Sequence, residues 1–130
     1  MGCPDEGWTL SAADPITTSL AHREGVAVVS VGGEIDLSTA PAFEAAIAGA
    51  LDDDPPVLVI ELSDVSFMAS VGLRILAATH EKVSKSAQVA IVANNPATNR
   101  PMQLTGLDKV MSMYPTLDEA LSAIGTGQTN

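Results

Sequence analysis

Residues 64–76, DVSFMASVGLRIL, lie just after the apolar run VLVIEL at residues 57–62. A short apolar run between Pro56 and the polar pair Ser63-Asp64 is typical of a buried strand. The apolar spacing after Ser70 is typical of a helix. The sequence therefore predicts that Ser70 stands at the turn from a central strand into the helix that follows it.

A serine at the start of a helix has two interpretations. The first turn carries backbone N–H groups without intrahelical partners and the positive end of the helix dipole, so a phosphate on Ser70 would be favourable there. It would also add about one and a half to two negative charges to a small neutral surface. Alternatively, Ser70 is only a helix cap, and Gly72 serves tight packing rather than the close approach of a partner. The local sequence leaves both interpretations open.

Outward from this turn, the pattern predicts alternating strands and helices. Strands are predicted at residues 16–23, 26–31, 57–62, 88–93 and 109–113. Helices are predicted to follow Ser38 or Thr39, to begin at Ser70 and at Pro96, and to follow Thr116. Gly32-Gly33 should break or bulge the second strand, and Pro101 should either kink the third helix or leave it with a short first segment. This order indicates an α/β fold with a largely parallel sheet.

The domain organisation follows from length and composition. The 130 residues, 46% hydrophobic and 17% charged, suffice for one globular domain with a single core. We expect a flexible arm at residues 1–15, one domain at 16–124, and a flexible tail at 125–130.

Charge and cysteine content limit the partners and the compartment. Six basic residues against sixteen acidic ones give a net charge of −10, which repels nucleic acid and anionic lipid and suits a basic protein partner. No apolar run approaches the roughly twenty residues that span a bilayer, and residues 1–14 contain no recognisable signal peptide. One cysteine, Cys3, excludes an internal disulfide. We therefore expect a cytoplasmic protein.

Enzymatic and metal-dependent functions find little support in the sequence. Residues 68–72, MASVG, lack the first glycine of a nucleophile elbow, and neither His22 nor His80 can be placed beside Ser70. Three adjacent acids at residues 52–54 lack the spacing of a calcium loop and are expected to form a solvated helix end. No glycine pattern of a nucleotide-binding loop occurs. We expect no enzyme activity, no cofactor and no metal.

Three separated motifs carry a resemblance to a known family. They are SFMASVGL at residues 66–73, GEIDLSTAP at residues 33–41 and TGL at residues 105–107. Together they resemble the STAS-domain family, and within it the bacterial anti-sigma-factor antagonists. The resemblance extends from about residue 17 to about residue 124. It implies the STAS fold, with a mixed sheet of four to five strands packed against about four helices.

The resemblance also implies a function. Such antagonists bind an anti-sigma factor that is also a serine kinase, and so release its sigma factor. The kinase phosphorylates a serine that matches Ser70, and a phosphatase reverses the reaction. For this chain the resemblance implies a PP2C-type phosphatase. The implied partner surface consists of Asp36, Ser38, Thr39, Met68, Ala69, Ser70, Val71, Gly72 and Arg74. A monomer or weak dimer is expected.

One position departs from the family pattern. The family usually has Asp before the phosphorylated serine, whereas this chain has Ala69, and Val71 follows where Ser or Ala is common. Loss of a charge and an acceptor beside the hydroxyl can alter kinase recognition. The alternative function is therefore a STAS interaction module of a larger sensor or transport assembly that is not controlled by phosphate.

Overall fold

The computed structural model describes residues 16–23, 25–52, 54–83 and 85–129. In chain order the elements are β1 (Ile16–Arg23), β2 (Val26–Ile35), α1 (Ala40–Leu51), β3 (Val57–Met68), α2 (Ser70–Val83), β4 (Gln88–Val92), α3 (Pro96–Thr105), α4 (Leu107–Val110), β5 (Ser112–Tyr114) and α5 (Leu117–Thr129). The arm predicted at residues 1–15 lies outside the described residues.

The five strands form one mixed sheet in the order β1-β2-β3-β4-β5. β1 and β2 are antiparallel, and each later pair is parallel. β3 is the middle strand, and residues 57–60 are all buried, as expected of a strand covered on both faces. The predicted α/β fold with a mixed sheet is confirmed, with five helices in the described residues, one of them only four residues long.

Helices cover both faces of this sheet. On one face α1, α2 and α3 share a buried cluster in which Phe43, Leu76 and Met102 pack with strand residues such as Ile60. On the other face Ala120 of α5 packs over five valines and one alanine of the three inner strands. The helix that begins at Ser70, α2, therefore packs on the same buried cluster as α1 and α3.

β2 and β3 are both longer than predicted. β2 continues past residue 31 to Ile35, with register irregularities between Ser30 and Gly32 and between Gly33 and Glu34. β3 continues past residue 62 to Met68 and remains paired with β2. The bulge expected at Gly32-Gly33 is present, but it redirects the strand rather than ending it.

The far part of β3 has an unusual second neighbour. Pairing between β3 and β4 ends at Glu61 and Val92. Beyond that point the side-chain amide of Asn95 donates hydrogen bonds to the carbonyl oxygens of Ser63, at 3.1 Å, and of Val65, at 3.2 Å. One side chain thus replaces part of the missing strand.

The C-terminal third differs from the predicted elements at residues 107–110 and at the end of the last helix. Residues 107–110 form α4 rather than a strand, because left-handed Gly106 ends α3 and the chain makes one more helical turn before β5. α3 is continuous through Pro101. At the start of α5 one of the two hydrogen bonds of the predicted capping box is present, from the N–H of Glu119 to the Thr116 hydroxyl at 3.1 Å. The helix extends beyond residue 124.

Two further findings concern only the described ranges. No helix there is long and apolar enough to cross a membrane. The same residues contain no group of three or more His, Cys, Asp or Glu side chains that could bind a metal ion.

Candidate functional site

The ends of β2 and β3 bring the predicted site residues together. Ile35 and Met68 are paired in the parallel register, so both strands end at the same edge of the sheet. Just beyond them the N–H of Ala69 donates to the carbonyl oxygen of Ile35 at 2.8 Å. We call this the carboxyl edge. At this edge the loop of residues 36–39 lies next to the first turn of α2. Ligands bind at the corresponding position on open α/β sheets.

Internal hydrogen bonds fix the conformation of the 36–39 loop. The Asp36 carboxylate accepts hydrogen bonds from the N–H and hydroxyl of Ser38, at 2.9 and 2.7 Å, and from the N–H of Thr39 at 3.2 Å. The Thr39 hydroxyl accepts from the N–H of Asp36 at 2.8 Å and donates to the carbonyl oxygen of Glu34 at 2.8 Å. Thr39 precedes α1 without capping it through its side chain, contrary to prediction.

These hydrogen bonds favour the ionised form of Asp36. The Ser38 hydroxyl is the largest of the causes that hold the pKa of Asp36 below its ordinary value of 3.8. Because a lowered pKa means that the folded loop prefers the carboxylate, this stabilisation is complete above about pH 3.8. It is lost as the pH falls through the lowered pKa.

We expect an NMR titration of the side-chain carboxyl carbon to place the pKa of Asp36 below 3.8. Ser38→Ala should raise that pKa towards 3.8, because the largest stabilising hydrogen bond is removed. Ser66→Ala is the control, since Ser66 donates instead to the Gly33 carbonyl oxygen. An Asp36 midpoint that does not move in Ser38→Ala would contradict the assignment.

The Ser70 hydroxyl is accessible at the carboxyl edge. Ser70 is the first residue of α2 and is exposed, between half-buried Ala69 and Val71. Its side chain makes no hydrogen bond to the described part of the chain, so a capping role for this hydroxyl has no structural support. The hydroxyl therefore lies at the same edge of the sheet as the 36–39 loop.

Not all residues of the predicted partner surface reach the surface. Ser38 and Arg74 are exposed, and Asp36 is half-buried. In contrast, Thr39, Met68 and Gly72 are buried. A Cβ on Gly72 would lie 2.8 Å from Cγ2 of Ile35 and 3.0 Å from Cγ of Met68. These three residues therefore support the site from beneath rather than contacting a partner.

Two apolar residues at the carboxyl edge were missed by sequence reasoning. Leu37, in the 36–39 loop, and Phe67, near the end of β3, are both exposed. Leu37 had one detectable signal, as a large apolar residue between Asp36 and Ser38 in a polar loop.

Neither histidine lies beside Ser70. His80 is on the same helix but about 15 Å along its axis. His22 pairs with Ala27, at the opposite end of β2 from Ile35. Neither histidine is therefore placed to act as a base towards the Ser70 hydroxyl.

Comparison with known proteins agrees with this geometry. The STAS domain model matches residues 17–120. The anti-sigma-F factor antagonist RsfB of Mycobacterium tuberculosis is 50% identical over 119 residues, which cover 92% of this chain and 98% of RsfB. A crystal structure of an anti-sigma factor antagonist from Mycobacterium paratuberculosis superposes with a TM-score of 0.80 at 58% identity, over 83% of this chain and 92% of that one.

A more distant neighbour shares the fold. The phosphorylated form of the Bacillus cell fate determinant SpoIIAA superposes with a TM-score of 0.64 at 19% identity, over 83% of this chain and 99% of that one. The chain therefore belongs to the STAS-domain family, and within it is similar to the bacterial anti-sigma-factor antagonists.

Proposed function

We propose that this protein is an anti-sigma-factor antagonist, which binds an anti-sigma factor and thereby releases the sigma factor. Its similarity to RsfB over nearly the whole of both chains supports this proposal. The structural observation that carries it is the 2.8 Å hydrogen bond from Ala69 to Ile35, which unites the 36–39 loop and the α2 start in one accessible surface. In this proposal the protein acts in the cytoplasm as a monomer or weak dimer, and it acts by binding and not by catalysis.

We further propose that phosphorylation of Ser70 controls this binding. The partner would be a serine kinase, and a PP2C-type phosphatase would restore the active form. Support comes from the exposure of Ser70 in the first turn of α2, where the helix dipole tolerates a phosphate. Half-buried Ala69 and Val71 flank it, so a phosphate would bring charge into an otherwise apolar part of the interface.

Phosphate mapping tests the proposed switch. We expect incubation with ATP and the anti-sigma-F homologue encoded by the same genome to add phosphate at Ser70, located by peptide mass spectrometry. Ser70→Ala should take up none. A stable complex without phosphate would leave a constitutive antagonist and remove the switch, whereas neither phosphate nor complex would contradict both proposals.

The alternative is a STAS interaction module of a larger sensor or transport assembly. Ala69 favours it, because the usual aspartate before the modified serine is missing. Co-purification separates the two functions: an ATPase related to histidine kinases indicates the antagonist, and a transport or sensor protein indicates the module.

A further inference from the structure

We infer that Leu37 is the principal apolar anchor of the partner surface, with Phe67 as the second. The corresponding site on the anti-sigma factor would be an apolar pocket bordered by basic residues. This inference rests on the proposed function and extends it to the chemistry of the contact. Besides the exposure of Leu37, two features support the inference: the loop that carries Leu37 is rigid, and acidic residues lie on the same segments.

Leu37 is exposed to an unusual degree for its type. Its side chain is 81% exposed, the largest value among the large apolar residues that the structure describes. Flexibility does not explain the exposure, because the hydrogen bonds of Asp36 to Ser38 and Thr39 close the loop around Leu37. An apolar side chain presented by a rigid loop loses little conformational entropy on binding, which is the property of an effective anchor.

Phe67 lies on the chain segment joined to this loop. It pairs in register with Glu34, one residue before the paired Ile35 and Met68. Because Ile35 and Met68 point into the buried cluster beneath the helices, Glu34 and Phe67 point to the other side. Phe67 is 50% exposed there. Leu37 is two residues after Ile35, and Phe67 is two residues before Ala69. The Ala69–Ile35 hydrogen bond links the two segments that carry them.

Acidic residues lie on the same two segments as these side chains, and Glu34 is the register partner of Phe67. Glu34 and Asp64 are exposed, and Asp36 is half-buried and favours its charged form. Arg74 on α2 is a single basic residue at the same edge. An apolar centre with an acidic border fits a partner with an apolar pocket and a basic border.

The same charges argue against a second copy of this chain as the occupant. A two-fold dimer through the carboxyl edge would place Glu34, Asp36 and Asp64 of one copy against the same residues of the other. The net charge of −10 adds a general repulsion between copies. A basic protein partner is therefore favoured over self-association.

The chain contains a matched control for the test. Leu104, in α3, is 80% exposed, the same side chain at nearly the same exposure, but on a different element. We would measure the Kd of the unmodified protein, Leu37→Ala and Leu104→Ala for the anti-sigma-F homologue from the same genome by isothermal titration calorimetry. Thermal unfolding should be nearly the same for all three, since both side chains are exposed.

We expect Leu37→Ala to weaken binding about tenfold or more and Leu104→Ala to leave it unchanged. Binding of the unmodified protein should also weaken as salt increases, because the border contacts are charged. Unchanged affinity in Leu37→Ala, or equal losses in both variants, would overturn the inference while the proposed function stands. No binding by the unmodified protein would instead overturn the proposed function, and the inference with it.

Discussion

Gly72→Ala is expected to lower the free energy of unfolding by about 1–3 kcal/mol. The added Cβ would lie 2.8 Å from Cγ2 of Ile35, and Ile35 is fully buried, so neither atom can move freely. Met68 closes the other side at 3.0 Å. Relief requires the start of α2 to move away from the end of β2, which would also displace Ser70 from the 36–39 loop.

Gly49→Ala is the matched control for this prediction. Gly49 lies inside α1, and nothing lies within 4 Å of the Cβ that alanine would add. Alanine there should stabilise the protein by up to about 1 kcal/mol through helix propensity. Urea denaturation of both variants provides the measurement. A Gly72→Ala protein as stable as Gly49→Ala would show that the contact with Ile35 relaxes without cost.

Ser70→Glu is expected to weaken binding to the anti-sigma factor about thirtyfold or more, corresponding to the roughly 2–5 kcal/mol that an unpaired charge costs in an interface. The carboxylate would stand between Ala69 and Val71, where no hydrogen-bond donor from either side chain can compensate it. Ser70→Ala should bind like the unmodified protein, because it removes only a hydroxyl that makes no hydrogen bond to the residues that the structure describes.

Ser122→Glu separates the effect of position from that of net charge. Ser122 is exposed on α5, across the sheet from α2, and the substitution adds the same charge. Surface plasmon resonance on the three variants should show a loss for Ser70→Glu alone. Equal affinities of Ser70→Glu and Ser70→Ala would remove the phosphate switch from the proposed function.

The sheet and its helices could be predicted from the sequence because the local signals agree with the packing. Residues 57–60 form an unbroken apolar run. They belong to the middle strand of the sheet, where both faces of a strand are buried. The helix start at Ser70 and the hydroxyl cap at Thr116 are likewise local patterns, and both are present.

The strand ends could not be predicted, because bulges change the spacing that sequence reasoning relies on. After residue 62 the buried positions of β3 are Val65 and Met68, three residues apart rather than two. This spacing hides the strand, since alternation is its signature. The missed part of β3 is the part that leads to Ser70, so the sequence predicted where the helix begins but not the strand that supports its start.

Side chains that cap helices in most proteins have other partners here. Thr39 and Asn95 both precede helices, as sequence signals indicate, and neither caps its helix through the side chain. Each instead bonds to strand backbone, at Glu34 for Thr39 and at Ser63 and Val65 for Asn95. Composition reveals that a helix begins, whereas the partner of a hydroxyl or amide depends on what the fold brings near it.

The two halves of β3 differ in what lies beside them, and the Asn95 amide marks the difference. Residues 57–61 have strands on both sides. Among the described residues, 63–68 have β2 on one side and hydrogen bonds from the amides of Asn94 and Asn95 on the other. Fewer strand hydrogen bonds hold the second half, and the burial of Val65 and Met68 in the main core cluster holds it as well. The segment that carries Phe67 and leads into Ser70 therefore depends on side-chain contacts, where residues 57–61 depend on a second neighbouring strand.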